Sequence, residues 1–335
     1  LKQLLMVSGV ERYFQIARCF RDEDLRTDRQ PEHTQLDFEM SFVHQDDVMT
    51  IVEELYTRIV KETSPDTEIS APFPRLTYAE SMERFGTDKP DLRFGMELTT
   101  ITETAATSDA QVFQAMASSG GSIRGFSVPG CGDYGRRQTD NLTEFAKSSG
   151  AQGLVFIALD ESAASIDALE NDHIRSPLKK FLSVDVVKKI ATEMGAEPGD
   201  LMLIVAGTEK LVNTVLSNLR NEMAKRLEMA DPKQIAFAWV YDFPLFEWDE
   251  ELKKYEPAHH VFSSPKAEHM DYLETNPGKV IGFLWDLVCN GSEMGSGSIR
   301  IHDKDLQTRL FNIIGYTEDQ ISDRFGQLLT AFTYG

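Results

Sequence analysis

The sequence contains few cysteines: its 335 residues include only three, Cys19, Cys131 and Cys289, and these lie far apart. No pair of them has the short spacing that zinc sites and redox motifs use. A zinc site or a disulfide framework is therefore not expected, and a reduced, cytoplasmic setting is the simplest interpretation. The chain also lacks any apolar run close to the roughly 18 residues that a membrane span needs, and it has no charged-then-apolar signal peptide.

Basic residues are scarce relative to acidic ones. Lys and Arg number 34 and Asp and Glu number 54, which gives a formal net charge of −20. Bulk electrostatic capture of nucleic acid needs a basic surface, so that mode of binding is not indicated, whereas local basic patches stay compatible with the sequence. A hydrophobic fraction of 41% and a charged fraction of 26% are ordinary for a soluble globular protein with room for two domains.

Three segments of different character follow one another along the chain. Residues 1–94 begin with a helical stretch and continue with two long predicted strands around a polar loop. Residues 95–226 alternate shorter helices and strands, which indicates an inserted, self-contained α+β domain; the alternative is a further layer of one large domain. Residues 227–335 return to longer apolar strands and end with two helices. The last helix begins with a predicted capping box of Thr317 and Gln320.

The two long strands carry polar and apolar residues on opposite faces. In the first strand Phe14, Ile16 and Phe20 share one face, because successive side chains of a strand point to opposite sides. The return strand alternates more strictly, and its polar face comprises Gln35, Asp37, Glu39 and Ser41. A face that mixes acids with amides favours a binding surface, and the alternative is a half-exposed antiparallel sheet with ion pairs.

The sequence around this hairpin resembles a known motif. RDE at residues 21–23, RQPE at 29–32 and TQLDFE at 34–39 together are similar to motif 2 of the class II aminoacyl-tRNA synthetases, in its aspartyl form. This resemblance implies an α+β fold, in which an antiparallel sheet is flanked by helices and a smaller α+β domain is inserted. It also implies ATP and L-aspartate as substrates and Mg²⁺ as the metal ion.

The resemblance gives roles to the residues at the end of the first strand. Activation joins the aspartate carboxylate to the α-phosphate of ATP and expels pyrophosphate, so the protein must position two anions and neutralise developing charge. Arg21 matches the family arginine that contacts both groups, a role suited to a permanently charged, bidentate guanidinium. We expect Arg21 to be the catalytic residue and Asp22 and Gln30 to bind ATP. Glu23 matches the acid that recognises the adenine amino group.

The same resemblance assigns residues to the amino-acid substrate. Asp37 matches the acid that holds the substrate ammonium, and Gln35 lies beside it on the polar face. Lys2 matches a family lysine that contacts the side-chain carboxylate of aspartate. These three residues are therefore expected to bind the substrate together with Arg21.

Two adjacent histidines form a further candidate. His259 and His260 point to opposite faces if they lie on a strand, so a shared metal ion is not expected, and a structural role is the alternative. Their context is similar to a His-His-Pro-Phe-like element of the family, with Val261 in place of the proline. That similarity favours contact between His259 and the substrate.

The last constellation lies near the C-terminal end. Asp286 and Glu293 are separated by a spacing that, alone, fits ordinary surface acids as well as Mg²⁺ ligands. NGSEMGSGSIRIH at residues 290–302 resembles the family strand with an ATP-binding glutamate, matched by Glu293, and an arginine that recognises the aspartate side chain, matched by Arg300. The resemblance thus implies that Asp286 and Glu293 hold Mg²⁺. An arginine in this position rejects asparagine, and mismatches of this kind discriminate by about 10⁴-fold.

The middle segment resembles a domain found in one branch of the family. TEFAK at residues 143–147, GLVF at 153–156 and SPLKKFL at 176–182 are similar to the extra domain of bacterial-type aspartyl-tRNA synthetases, which is shared with tRNA-dependent amidotransferases. The implied activity is that of an aspartate–tRNA ligase, which forms aspartyl-adenylate and transfers aspartate to the 3′ end of tRNA(Asp), with tRNA(Asn) as an open second acceptor. The alternatives are a tRNA-binding or regulatory paralogue without catalysis, and activation of asparagine.

The resemblance also leaves family segments unmatched. These are the anticodon-binding β-barrel, motif 1 and motif 3, so we expect the sequence to be part of a longer protein. The 335-residue chain alone is then expected to be weakly active or inactive, and the full-length protein is expected to be a homodimer.

Overall fold

The computed structural model describes residues 1–22 and 30–334. Internal contacts divide the chain into two compact units, one formed by Leu1–Tyr78 with Phe237–Gly335 and the other by Ala79–Ala236. The second unit thus interrupts the sequence of the first, and it extends beyond the bounds of 95 and 226 that the sequence indicated. Its assignment as a bacterial-type inserted domain stays a prediction. No helix among the described residues has both the length and the apolar character that a membrane crossing requires.

The chain contains helices and strands throughout. The helices are α1 (Lys2–Val7), α2 (Gln45–Thr63), α3 (Tyr78–Phe85), α4 (Thr102–Ala106), α5 (Gln111–Ser118), α6 (Arg136–Ser148), α7 (Val184–Glu193), α8 (Glu209–Arg226), α9 (Lys304–Ile313) and α10 (Glu318–Ala331). The strands are β1 (Arg12–Phe20), β2 (Glu32–Met40), β3 (Glu68–Ile69), β4 (Arg75–Thr77), β5 (Thr99–Thr100), β6 (Ser122–Val128), β7 (Val155–Leu159), β8 (Ile174–Arg175), β9 (Leu201–Gly207), β10 (Gln234–Ile235), β11 (Phe237–Tyr241), β12 (Phe246–Asp249), β13 (Lys254–Pro257), β14 (Leu284–Cys289) and β15 (Ser292–Ser298). Short 3₁₀ turns lie at Asn171–His173, Lys179–Phe181, Ala267–Tyr272 and Pro277–Lys279.

The predicted pair of long strands is confirmed as the antiparallel hairpin β1–β2. Phe14 lies opposite Phe38, and Ile16 lies opposite Leu36, so the apolar side chains share one face as the alternation indicated. Within the described residues the hairpin forms a two-stranded sheet of its own. Its apolar face is open, and Phe14 is 73% exposed.

A four-stranded sheet forms the centre of the first unit, in the order β15-β14-β11-β4. β11 pairs antiparallel with β14 and parallel with β4, and β14 pairs antiparallel with β15. Asn290 and Gly291 join β14 to β15 with φ angles of 49° and 82°, a conformation for which Asn-Gly is favoured in two-residue hairpins. This sharp turn allows the Gly/Ser-rich stretch that follows it to run as a strand.

The core of the first unit lies between this sheet and the two C-terminal helices. Val240 and Val288 of the sheet and Leu310 of α9 are fully buried. Phe311 of α9 stacks on Phe325 of α10, with ring centroids 4.3 Å apart. The predicted capping box at the start of α10 is confirmed, because Thr317 accepts a hydrogen bond from the Gln320 backbone.

The second unit is built on a five-stranded sheet in the order β5-β6-β9-β7-β8. Every neighbouring pair in this sheet is antiparallel. One apolar cluster contains Phe113 of α5 and Val187 of α7, and another contains Leu142 of α6 and Leu216 of α8. Both clusters draw alternate residues from β9, so helices cover the two faces of the sheet. Each unit is therefore α+β, in agreement with the predicted fold class.

Candidate active site

The polar face of the β1–β2 hairpin carries an acid that is held from two sides. Lys2 Nζ on α1 lies 2.7 Å from Asp37 Oδ1, and Gln15 Nε2 on β1 donates to Asp37 Oδ2 over 2.9 Å. Gln15 stands directly opposite Asp37 in the hairpin, and cross-strand neighbours of this kind are close enough for their side chains to meet. Lys2 Nζ also lies 3.7 Å from Glu39 Oε1. The α1 lysine thus connects two acids of β2.

These contacts fix the charge of Asp37. Burial raises the pKa of Asp37, but hydrogen bonds from Lys2 and Gln15 and the positive charges of Lys2 and Arg300 outweigh burial and bring the pKa below its ordinary value. Asp37 is therefore an anion at neutral pH. A fixed, partly buried carboxylate of this kind suits an ammonium group.

Arg300 lies on a second segment, close enough to Asp37 for its positive charge to lower the pKa of that acid. Its Nη1 is 3.1 Å from His260 Nδ1 and 2.6 Å from His260 Nε2. Burial lowers the pKa of Arg300, whereas the negative charges of Glu39 and Asp37 raise it. The site thus combines an anion at Asp37 with a half-buried guanidinium at Arg300.

Backbone pairing fixes the position of Arg300. Ser263 and Arg300 form an antiparallel bridge, and the amide of Ile301 donates to Phe262 O over 2.9 Å. Gln3 Nε2 on α1 donates to Ile301 O over 3.3 Å. The helix that carries Lys2 is therefore tied to the segment that carries Arg300.

The two adjacent histidines have different surroundings. His259 is exposed, and its ring packs edge-on against Phe243 with centroids 4.6 Å apart. His260 is half-buried and contacts Arg300. Burial, the charge of Arg300 and the proximity of His259 lower the pKa of His260 to about 4, so its ring is neutral at neutral pH. The proposed contact of His259 with a substrate stays a prediction.

Three residues predicted to bind ATP, Arg21, Asp22 and Gln30, lie between the end of β1 and the start of β2. Arg21 directly follows β1, and its backbone amide donates to Pro31 O over 2.8 Å, which extends the strand pairing by one residue. Arg21, Asp22 and Gln30 are all exposed. Glu23 lies outside the described residues.

Gln35 belongs to the polar face of β2 and is exposed. Its Oε1 accepts a hydrogen bond from Cys19 Sγ over 3.6 Å. Cys19 stands on β1, opposite His33, so the contact is diagonal across the hairpin. Gln35 thus lies on the same face as Asp37, as the alternation predicted, and its substrate contact stays a prediction.

Asp286 and Glu293 lie on the paired strands β14 and β15. Asp286 is opposite Ser296, and Glu293 is opposite Val288, with an irregularity in pairing between Leu287 and Val288. Because Asp286 and Val288 are two residues apart on one strand, this register puts both carboxylates on the same face of the sheet. Asp286 is 1% exposed and Glu293 is half-buried. A cation that contacts both would approach from the Glu293 side.

The Gly/Ser-rich strand β15 has one packed and one open glycine. A Cβ atom on Gly297 would lie 2.7 Å from Trp285 Nε1, whereas a Cβ atom on Gly295 would meet no atom within 4 Å. Gly297 is thus required for the packing of Trp285 against β15. The backbone around Gly295, in contrast, leaves room for a ligand to approach closely.

Three site residues were not predicted from the sequence. Gln15 was given no role, Glu39 was assigned only to the polar face of its strand, and His260 was not distinguished from His259. Their sequence signal is the alternation itself, which identifies a face but not the partner across the hairpin. The structure brings them together with three predicted residues, Lys2, Asp37 and Arg300.

The described part of the chain holds no cluster of three or more His, Cys, Asp or Glu side chains arranged for a metal ion. Mg²⁺ is compatible with a smaller set, because it usually takes one or two carboxylates and completes its shell with phosphate oxygens and water. Asp286 and Glu293 fit that requirement by residue type and by their shared face.

The α+β fold of the first unit, with its mixed four-stranded sheet and the β1–β2 hairpin, is consistent with the class II aminoacyl-tRNA synthetases. Residues 1–335 match the family described as tRNA synthetases class II (D, K and N), and the chain belongs to this family.

Curated relatives agree with this assignment. The chain is 50% identical over 335 residues to the aspartate–tRNA(Asp/Asn) ligase of Dehalococcoides mccartyi strain CBDB1. The matched region comprises all of this chain and 56% of that relative. It is 49% identical over 334 residues to the ligase of the same name from Rubrobacter xylanophilus, with 54% of that relative covered. The chain therefore spans about half the length of the curated relatives that it matches. An aspartyl-tRNA synthetase structure from Entamoeba histolytica has a TM-score of 0.42 at 14% identity over 99% of this chain and 42% of its own, too little to support a structural argument.

Proposed function

We propose that the protein containing this chain is an aspartate–tRNA ligase. It activates L-aspartate with ATP to aspartyl-adenylate, releases pyrophosphate, and transfers the aspartyl group to the 3′ end of tRNA. The observation that carries this proposal is the combination of an ionised Asp37, held by Lys2 and Gln15, with the half-buried guanidinium of Arg300 in its field. A substrate with an ammonium group and a second carboxylate matches these two charges.

In this proposal Asp37 binds the substrate ammonium, and Arg300 with Lys2 binds the side-chain carboxylate. Gln35, on the polar face of the hairpin, contacts the amino acid beside Asp37. His259, near the segment that carries Arg300, completes the amino-acid site. An amide substrate would leave the charge of Arg300 without a counter-charge in a partly desolvated place, which is costly. Asparagine is therefore discriminated against.

The ATP side of the site is supplied by residues between β1 and β2 and by β15. Arg21 contacts the α-phosphate and the reacting carboxylate and neutralises the charge that develops between them. Asp22, Glu23 and Gln30 contact ATP, and Glu293 approaches it from β15. Asp286 and Glu293 would hold Mg²⁺, which would supply positive charge to the phosphates of ATP.

The acceptor is tRNA(Asp), and tRNA(Asn) is a second candidate. The second acceptor is favoured by the names of the relatives, which specify tRNA(Asp/Asn). The proposed setting is the cytoplasm, and the proposed assembly is a homodimer of the full-length protein.

Aspartate-dependent exchange between pyrophosphate and ATP tests the first step. The assay uses a polypeptide that contains this chain and has the length of its curated relatives. We call it the full-length polypeptide. We expect exchange with aspartate and much slower exchange with asparagine, followed by charging of tRNA(Asp). Equal exchange with both amino acids, or none with aspartate, contradicts the proposal. Charging of a tRNA(Asn) transcript decides whether there is one acceptor or two.

The 335-residue chain can be assayed beside the full-length polypeptide. We expect it to exchange pyrophosphate much more slowly, because it spans only 56% of the length of the Dehalococcoides mccartyi relative. Exchange at the full-length rate contradicts this expectation.

A further inference from the structure

We propose that His260 is a positioning residue for Arg300: its ring presents a neutral nitrogen acceptor that holds the guanidinium in place for the substrate carboxylate. This inference rests on the proposed function and adds a residue to the specificity site. It assigns different roles to the two adjacent histidines, since His259 is exposed and packs against Phe243.

The geometry of three side chains carries the inference. Arg300 Nη1 is 2.6 Å from His260 Nε2 and 3.1 Å from His260 Nδ1. On the same ring, Ser263 Oγ lies 3.2 Å from His260 Nδ1. Ser263 is fully buried, so the histidine ring is held by a group that cannot easily move.

The backbone around these side chains is fixed by pairing. Ser263 is bridged to Arg300, and Ser264 N donates to Ile299 O over 2.8 Å. Gln307 Nε2 of α9 donates to Val261 O over 2.9 Å. Backbone pairing therefore joins the segment that carries His260 to the segment that carries Arg300, and the side-chain contact is part of this arrangement.

The charges near Arg300 explain why it needs an acceptor. Asp37 and Glu39 attract the guanidinium, and an unrestrained arginine next to two acids would form an internal ion pair with them. His260 offers an uncharged alternative partner. The guanidinium then stays available to a carboxylate of the substrate, and Asp37 stays available to its ammonium.

The acceptor function requires a neutral ring. The charged or titratable groups that act on His260 are Arg300, His259 and Lys2, and all three disfavour its protonation. A protonated His260 would place two cations in contact and leave the ring without a nitrogen acceptor. The surroundings of the ring therefore support the role that the geometry assigns to it.

The alternative is that His260 only fills space. Its ring lies 6.3 Å from Phe262 in a tilted arrangement, which is an ordinary packing contact. A packing role predicts that any side chain of similar volume is acceptable. A positioning role predicts that only a side chain with an acceptor near the position of Nε2 preserves aspartate binding.

The test compares His260→Leu and His260→Gln in the full-length polypeptide, with pyrophosphate exchange as the assay. Leucine keeps much of the volume and removes the acceptor, whereas glutamine supplies a neutral acceptor. We expect His260→Leu to raise the KM for aspartate roughly ten-fold or more, with the KM for ATP unchanged and weaker discrimination against asparagine. We expect His260→Gln to restore most of both properties.

His302→Leu is the matched control, because His302 is an exposed histidine two residues from Arg300. It should leave both KM values unchanged. If His260→Leu does not fold, His260→Met replaces it, since its unbranched side chain adapts to irregular space. The inference is overturned if the leucine and glutamine variants behave alike, if aspartate and ATP are affected equally, or if a folded glutamine variant binds aspartate as poorly as the leucine variant. Absence of aspartate-dependent exchange in the unmodified polypeptide overturns the proposed function instead.

Discussion

Lys2 and Asp37, 35 positions apart in the sequence, meet through a contact of 2.7 Å between Nζ and Oδ1. The contact joins the first helix to the middle part of β2. It fixes the ionised form of the acid that we assign to the substrate ammonium, and it places a positive charge close to the site of the second substrate carboxylate.

Replacing Lys2 by methionine tests this relationship. The substitution keeps an unbranched chain and removes the charge, so Asp37 loses its nearest cation. We expect the KM for aspartate in pyrophosphate exchange to rise roughly ten-fold or more, with little change in the KM for ATP. The control is Lys254→Met, which removes the partner of Glu256 in a surface ion pair whose lysine is similarly exposed, 44% against 42% for Lys2. An unchanged aspartate KM in Lys2→Met argues against this role of the lysine.

A second prediction concerns the packing of β15 against Trp285. A Cβ atom on Gly297 would lie 2.7 Å from Trp285 Nε1, so Gly297→Ala should force Trp285 from its position. We expect a loss of about 1–3 kcal/mol in the free energy of unfolding, measured by urea denaturation. Gly295→Ala is the matched control, because its Cβ would meet no atom within 4 Å. Equal stabilities of the two variants would show that Trp285 does not constrain the strand.

A third prediction concerns the dependence of stability on pH. The pKa of His260 is lowered from 6.5 to about 4 in the folded state, so between these values the unfolded chain binds a proton that the folded chain does not. The free energy of unfolding therefore falls as the pH drops from about 6.5 towards 4. Above pH 6.5 both states carry a neutral ring and this contribution is constant.

His260→Gln removes that titration. We expect the free energy of unfolding of the unmodified chain to decrease more steeply with falling pH than that of the variant, by at most the slope of one proton. Urea denaturation at several pH values between 4 and 7 measures the difference. Parallel curves for the two proteins would mean that His260 titrates alike in the folded and unfolded states.

The sequence was sufficient to predict the hairpin and the residues on its polar face. Alternation identifies the polar face with Gln35 and Asp37, and the family motif points to Arg300. The contact of Gln15 with Asp37 depends on which residues stand opposite each other, and alternation within each strand does not determine that register. The difference between His259 and His260 depends on the pairing of Ser263 with Arg300, which joins segments far apart in the sequence.

The Gly/Ser-rich stretch illustrates the same limit. Small residues of this kind let a ligand approach a strand backbone closely, but one of the glycines, Gly297, is required by Trp285 on the neighbouring strand. The sequence does contain the signal for the hairpin, the Asn290-Gly291 pair. What it lacks is the register that places Gly297 opposite Trp285.

The central claim is that Arg300 selects aspartate by its charge, and Arg300→Gln tests it most directly. The measurement is the ratio of kcat/KM for aspartate to that for asparagine in pyrophosphate exchange by the full-length polypeptide. Arg309→Gln serves as the control, because Arg309 pairs with Glu274 on the surface. We predict that Arg300→Gln lowers the ratio about 100-fold or more, chiefly through lost activity with aspartate, and that Arg309→Gln leaves it unchanged. A ratio in Arg300→Gln equal to that of the unmodified protein would contradict the account.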